Sequence, residues 1–143
     1  MTSEIKSYED LYRNKARKWL AENVDPIEER KPFTTLHWMP NPEKENQHHF
    51  DCQQRQKKLY DAGYAGITVP TKYGGHGGEP WMQKVFREES IGYQVHTGFF
   101  HSIISMVLPA LIKHGTEGQK EKHIPSLING ETSWCQLFSE PGA

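Results

Sequence analysis

An all-α domain, an up-down bundle of about five helices over residues 1–131, is what this sequence of 143 residues predicts, with the first strand of a following β domain over residues 132–143. Three observations lead there. Apolar residues return every three to four positions in successive stretches, as they do along one face of a helix. Capping signatures and glycine stops punctuate those stretches. Prolines gather in a long connection and at a helix's first turn, where a missing N–H costs little.

Taken in order, Ser7 with Asp10 resembles a capping arrangement, and Tyr8, Leu11, Tyr12, Ala16, Trp19 and Leu20 share one helical face. That helix should stop near Asn23, because Pro26 follows. Pro26, Pro32, Pro40 and Pro42 mark an irregular connection from Val24 to Pro42. A second helix should run from Glu43 through Leu59 and Tyr60, with Gly63 just past its end. Ile67 and Val69 alternate as in a short strand that Pro70 ends. Glu79-Pro80 opens a third helix, with Trp81, Val85 and Phe86 on its buried side. A fourth, roughly Thr97 to His114, is apolar almost all round (Phe99, Phe100, Ile103, Ile104, Val107, Leu108, Leu111), which is usual for a helix central in a bundle or pressed on a neighbouring domain. Pro109 inside it predicts a kink or local break. Thr116 and Gln119 form a capping box for a fifth helix that Asn129-Gly130 closes after Ile128.

Composition narrows the function classes. The formal net charge is -1, with cations dispersed among acids, so there is no electrostatic footprint for nucleic acid or an anionic membrane. No apolar run is long enough to span a bilayer. The start, MTSEIKSYED, has neither the basic nor the apolar region of a signal peptide, and a cytoplasmic location is the default. Two cysteines, Cys52 and Cys135, show neither metal spacing nor a disulfide framework.

Several signals invite chemistry and have plainer readings. GGHGG, Gly74 to Gly78, lacks the Lys-Ser/Thr of a phosphate loop and the spacing of a dinucleotide site; a tight loop needing positive φ explains it better. Of the eight histidines, His48 and His49 are adjacent and diverge on a helix, while His96 and His101 are five apart, so no metal site is read. Glu88 and Glu89 are helix neighbours that do not converge on one atom; they read as salt-bridge residues.

The carboxyl end, NGETSWCQLFSEPGA, carries the strongest signal. Asn-Gly ends a helix, Trp134 to Phe138 reads as a short buried strand, and Ser139-Glu140-Pro141-Gly142 as a turn. A lone strand is unstable, so the sequence reads as cut off within one. SWCQLFSEPGA resembles the flavin strand of the acyl-CoA dehydrogenase family. Two further segments are similar in order and spacing: LYDAGYAGITVPTKYGGHGG (Leu59 to Gly78) and LPALIKHGTEGQKEKHIPSLINGE (Leu108 to Glu131).

That resemblance implies an FAD-dependent oxidation of an acyl-CoA thioester to its α,β-enoyl form, in which the α-proton goes to a carboxylate and the β-hydrogen leaves as hydride to the flavin. It implies that Gln136, Leu137, Phe138, Ser139 and Gly142 meet the flavin, Gln136 and Phe138 through backbone groups and Ser139 through its hydroxyl where many relatives have threonine. It makes Thr97, Gly98, His101 and Ser105 candidates for lining the acyl tunnel, against the plainer reading of this face as core. It implies an electron-transferring flavoprotein as electron acceptor and a homo- or hetero-tetramer. The family's catalytic glutamate belongs to a later domain, so no catalytic residue is assigned here. Alternatives are a flavin monooxygenase or nitroalkane-oxidase relative, a non-catalytic subunit, or a stand-alone helical interaction module.

Overall fold

The computed structural model describes residues 2–28 and 41–134. Among the described residues five helices carry the fold, in order α1 (Thr2–Asn23), α2 (Pro42–Asp61), α3 (Pro80–Glu89), α4 (Phe99–His114) and α5 (Glu117–Ile128). Short 3-10 turns lie at Thr71–Tyr73 and Ser90–Gly92. Among the described residues there is no strand, only an isolated antiparallel bridge between Pro26 and Tyr93. The expected all-α class is the observed one; the expected strand from Trp134 to Phe138 lies outside the described residues beyond Trp134 itself.

Local chemistry explains most of the boundaries. The Asn41 side chain accepts from the Glu43 and Lys44 amides (2.9 and 3.3 Å), Pro42 takes the first turn, and Glu43 and Glu45 sit at the positive end of the α2 dipole. At the other end Gly63 N–H donates to Tyr60 O and Tyr64 N–H to Leu59 O (2.9 and 2.7 Å). This pair of bonds closes the helix and folds Tyr64 back over Leu59. The Thr116–Gln119 capping box forms reciprocally at the start of α5. Ser7, by contrast, does not open α1, which is already helical from Thr2. Neither proline nor glycine separates Thr2 from Ser7, so nothing obliges the helix to begin at the apparent cap. The fourth helix runs through Pro109 in one piece to His114, without the local break that proline allows.

Two apolar clusters make the core. Ala16 and Leu20 of α1, Leu59 of α2, Phe86 of α3, and Tyr64 and Ile67 form one; Leu108 of α4, Ile124, Leu127 and Ile128 of α5, and Val69 and Tyr73 form the other. The segment 64–73 stitches them together, sending Tyr64 and Ile67 one way and Val69 and Tyr73 the other. It is not the short strand that alternation at Ile67 and Val69 suggested. Their carbonyls accept from the glycine loop instead: Gly78 N–H to Ile67 O at 2.7 Å, Gly77 N–H to Val69 O at 2.9 Å. With Gly74 and Gly77 at φ 80° and 60°, GGHGG is the tight loop its composition indicated.

Helix pairing follows the clusters. α1 packs on α3, α4 on α5, and α2 on α4, with the Thr71–Tyr73 turn against α5. Glu88 and Glu89 are the expected salt-bridge residues: Arg13 reaches both (2.9 and 2.7 Å) and Arg17 binds Glu89 at 2.8 Å, tying α1 to α3.

Candidate functional site

Two places on the α4 side of the molecule bring chemistry-bearing groups together. The first is the start of α4. Gly98 is its N-cap at φ 56°, ψ −127°, a conformation that β-carbon-bearing residues avoid. A Cβ at Gly98 would also lie 2.8 Å from Cys52 Sγ and 3.5 Å from His48 Nε2, so α2 approaches the backbone closely here. Cys52 Sγ and His48 Nε2 are 3.5 Å apart. Burial is the main reason the Cys52 thiol is raised above its ordinary pKa, so it is no ready nucleophile.

The loop entering α4 is held by its own histidine. Gly98 N–H donates to His96 Nδ1 at 3.1 Å, and Arg55 Nη1 donates to His96 O at 2.7 Å. The rings of His96 and His101 lie 5.1 Å apart, centroid to centroid. Desolvation first, then the neighbouring His101, Arg55 and His48, lower the His96 pKa, which favours the neutral ring. A sequence spacing of five did not keep these two imidazoles apart. Among the described residues, no three His, Cys, Asp or Glu side chains are placed to hold a metal ion.

The four tunnel candidates divide. Thr97 is buried at 3% exposure and Gly98 packs on α2. His101 and Ser105 are exposed on one stripe of α4, i and i+4, beside the exposed Met106, Pro109 and Ala110. α4 therefore buries Phe100 and Leu108 inward and leaves a mixed polar and apolar stripe outward.

The second place is the exit from α5. Gln56 Nε2 donates to Ile128 O at 2.7 Å and Gln53 Nε2 to Gly130 O at 2.8 Å, while His49 Nε2 and Ser133 Oγ are 3.4 Å apart. His49, Gln53 and Gln56 stand on one face of α2, so a single helix grips the chain as it leaves α5. The His123 ring meets the Trp134 edge at 5.1 Å. Sequence reasoning missed this grip. Its one legible signal is two glutamines, three apart, in a helix with few apolar positions. Gln136, Leu137, Phe138, Ser139 and Gly142, the flavin candidates, follow immediately and lie outside the described residues.

A helical domain whose described residues form five helices around two stitched apolar clusters, gripped where α5 exits, is the class of protein defined so far. Matching residues 7–131 to the family model "Acyl-CoA dehydrogenase, N-terminal domain" narrows it: the chain belongs to the acyl-CoA dehydrogenase family. It is 36% identical over 91 residues to acyl-CoA dehydrogenase FadE34 of Mycobacterium tuberculosis, covering 64% of this chain and 12% of that protein. It is 26% identical over 132 residues to acyl-CoA dehydrogenase IpdE1 of Mycolicibacterium smegmatis, covering 92% and 32%. Against the mitochondrial isovaleryl-CoA dehydrogenase of Pongo abelii the identity is 35% over 88 residues, covering 61% and 21%. The chain thus spans a third or less of the length of these relatives. No solved structure gives a significant match. No helix among the described residues is long and apolar enough to cross a membrane.

Proposed function

We propose that this chain supplies the helical domain of an FAD-dependent acyl-CoA dehydrogenase that introduces an α,β double bond into an acyl-CoA thioester. The observation that carries the reading is the family match over residues 7–131 on a fold whose described elements are helices. Members of this family are generally flavoproteins, and an acyl-CoA substrate fits it.

The donor set next to the described residues suits a flavin ring. Backbone groups at Gln136 and Phe138 and the Ser139 hydroxyl offer donors and acceptors for its polar edge, with Leu137 and Gly142 completing the contact stretch. The flavin supplies the redox chemistry; these residues orient it. The grip of Gln53 and Gln56 holds the Ile128 and Gly130 carbonyls at the exit from α5, which that stretch follows in sequence. On the substrate side, the α4 stripe of His101 and Ser105, with Thr97 and Gly98 at its head, borders the acyl group. The division of these four between a buried head and an exposed stripe fits a channel wall whose rear is anchored on α2. The carboxylate that takes the α-proton is assigned to no residue of this chain. Electrons pass to an electron-transferring flavoprotein, and the assembly is a tetramer.

Replacing Ser139 by alanine in the full-length protein tests the flavin contact. One neutral hydrogen bond is worth about 0.5–1.5 kcal/mol, and about 1.4 kcal/mol corresponds to roughly 30 mV for a two-electron couple. The expected result is a flavin potential shifted by up to a few tens of millivolts and slower reduction, with the helical domain still folded. Unaltered potential, flavin affinity and reduction rate would show that Ser139 does not meet the ring.

A further inference from the structure

We infer that His96 is a positioning residue: its Nδ1, by accepting the Gly98 N–H, sets the first turn of α4, and protonation of that nitrogen releases the turn. The part of this inference that concerns acyl-CoA rests on the proposed function; the part that concerns the turn does not.

The argument begins with a proton count. A backbone N–H has only a hydrogen to offer, so the nitrogen it meets at 3.1 Å must present a lone pair. His96 Nδ1 is therefore unprotonated in this arrangement and the neutral ring carries its hydrogen on Nε2. Adding a proton at Nδ1 sets N–H against N–H, and the bond is lost.

Gly98 is a poor place to lose a bond. Its φ of 56° and ψ of −127° place it where few residues rest, and its backbone is packed against Cys52 and His48 of α2. The first α4 bonds, Phe100 N–H to Thr97 O and His101 N–H to Gly98 O (3.1 and 3.2 Å), start from this turn. Residues at this start are the same Thr97, Gly98 and His101 assigned to the acyl group. A second tie, Arg55 Nη1 to His96 O, holds the backbone of residue 96 from α2 whatever the charge on the ring. That tie holds the backbone while the imidazole acts on the Gly98 N–H.

Among the described residues, His101 from α4 and Arg55 and His48 from α2 act on the His96 ring. Each is a cation when protonated. All therefore oppose charging His96, as desolvation does, and its pKa is lowered. The sign follows. A histidine whose folded-state pKa is depressed contributes fully above its ordinary value of about 6.5, and the contribution is lost as pH falls through the depressed value.

Hydrogen exchange of the full-length protein over residues 97–101, corrected for intrinsic rates, tests this from about pH 8 to about pH 5.5. Losing one hydrogen bond should cut protection about two- to twelvefold at the acid end. His96→Asn keeps an acceptor for the N–H two residues on but does not titrate, and should stay protected across the range. His96→Ala should be poorly protected throughout. For the holoenzyme, the acyl-CoA KM should rise with acid in the same proportion, more than kcat falls, and the asparagine variant should flatten that rise. Protection independent of pH in the unmodified protein, or an asparagine variant that follows its acid loss, overturns the inference. Failure to bind acyl-CoA at any pH, with the exchange pattern intact, would instead remove the proposed function and leave the turn's mechanism standing.

Discussion

The α1–α3 side and the α4–α5 side of this domain are held by different chemistry. On the first, rings do the packing: Tyr64 stacks on Phe86 at 4.4 Å and is met by Trp19 at 4.9 Å, while Tyr12 packs edge-on to Trp81 at 5.5 Å. Its rim is closed by Arg13 and Arg17 on Glu88 and Glu89. On the second, a mainly aliphatic core of Leu108, Ile124, Leu127 and Ile128 with Tyr73 is finished by the Gln53 and Gln56 grip, the Thr116 box and a cluster in which Glu117 accepts from the Tyr73 hydroxyl, Lys72 and Lys120. The first side pairs Glu88 and Glu89 across its helices and exposes Tyr8 and Leu11 along α1. The second leaves an exposed stripe along α4 and gathers His48, His96, His101 and Arg55 at its head. The lesson is that the two sides differ in the shape of their cores, rings on one and branched aliphatics on the other, more than in whether charge is used at the edge.

The largest expected effect comes from breaking the aliphatic side. Ile124 is fully buried, and Ile124→Ala should cost about 2–5 kcal/mol in denaturant unfolding through lost transfer energy and a residual cavity. A cost below that range would mean that the α4–α5 core collapses around the gap and is looser than the packing indicates.

Next is the grip from α2. Gln56 is 3% exposed and its amide serves the buried Ile128 carbonyl, so Gln56→Leu leaves that oxygen without a partner. The expected cost is about 1–3 kcal/mol, measured the same way. A neutral or stabilising result would show that a polar tie is not what finishes this side.

The smallest effect should come from the ionic rim. Arg17 first, then Arg13, hold the Glu89 carboxyl below its ordinary range. Its contribution is thus present above the usual carboxylate pKa of about 4.3 and is lost as pH falls through the depressed value. Glu89→Gln should cost about 0.2–1 kcal/mol at neutral pH, less in high salt, and nothing more in acid once the carboxyl is protonated. A large, salt-independent cost would contradict the division between the two sides.

How much of this was legible beforehand depends on the range of the interaction. Helix ends written in adjacent residues, such as Thr116 with Gln119, Gly63, or Pro80, were read correctly. The Asn41-Pro42 start was as local, yet it was read as the tail of a proline-rich connection, which put α2 one residue late. Alternation at Ile67 and Val69 reported side-chain burial truthfully, and both are buried, but burial does not name the backbone's partner. That partner, the glycine loop, lies eight or more residues on. The tunnel candidates were chosen by resemblance, and periodicity alone could not separate the buried Thr97 from the exposed His101 and Ser105. The Gln53 and Gln56 grip spans more than seventy residues and uses a residue type ordinarily found on surfaces, so no local pattern announces it.

The most direct measurement is hydrogen exchange of the full-length protein with and without saturating acyl-CoA. Ligand bound along α4 should slow exchange at residues 97–105 and at the α2 face that holds Gly98, and leave α1 and α3 unchanged. Protection that instead appears across α1 and α3, with α4 indifferent to ligand, would contradict the assignment of binding to the α4 side.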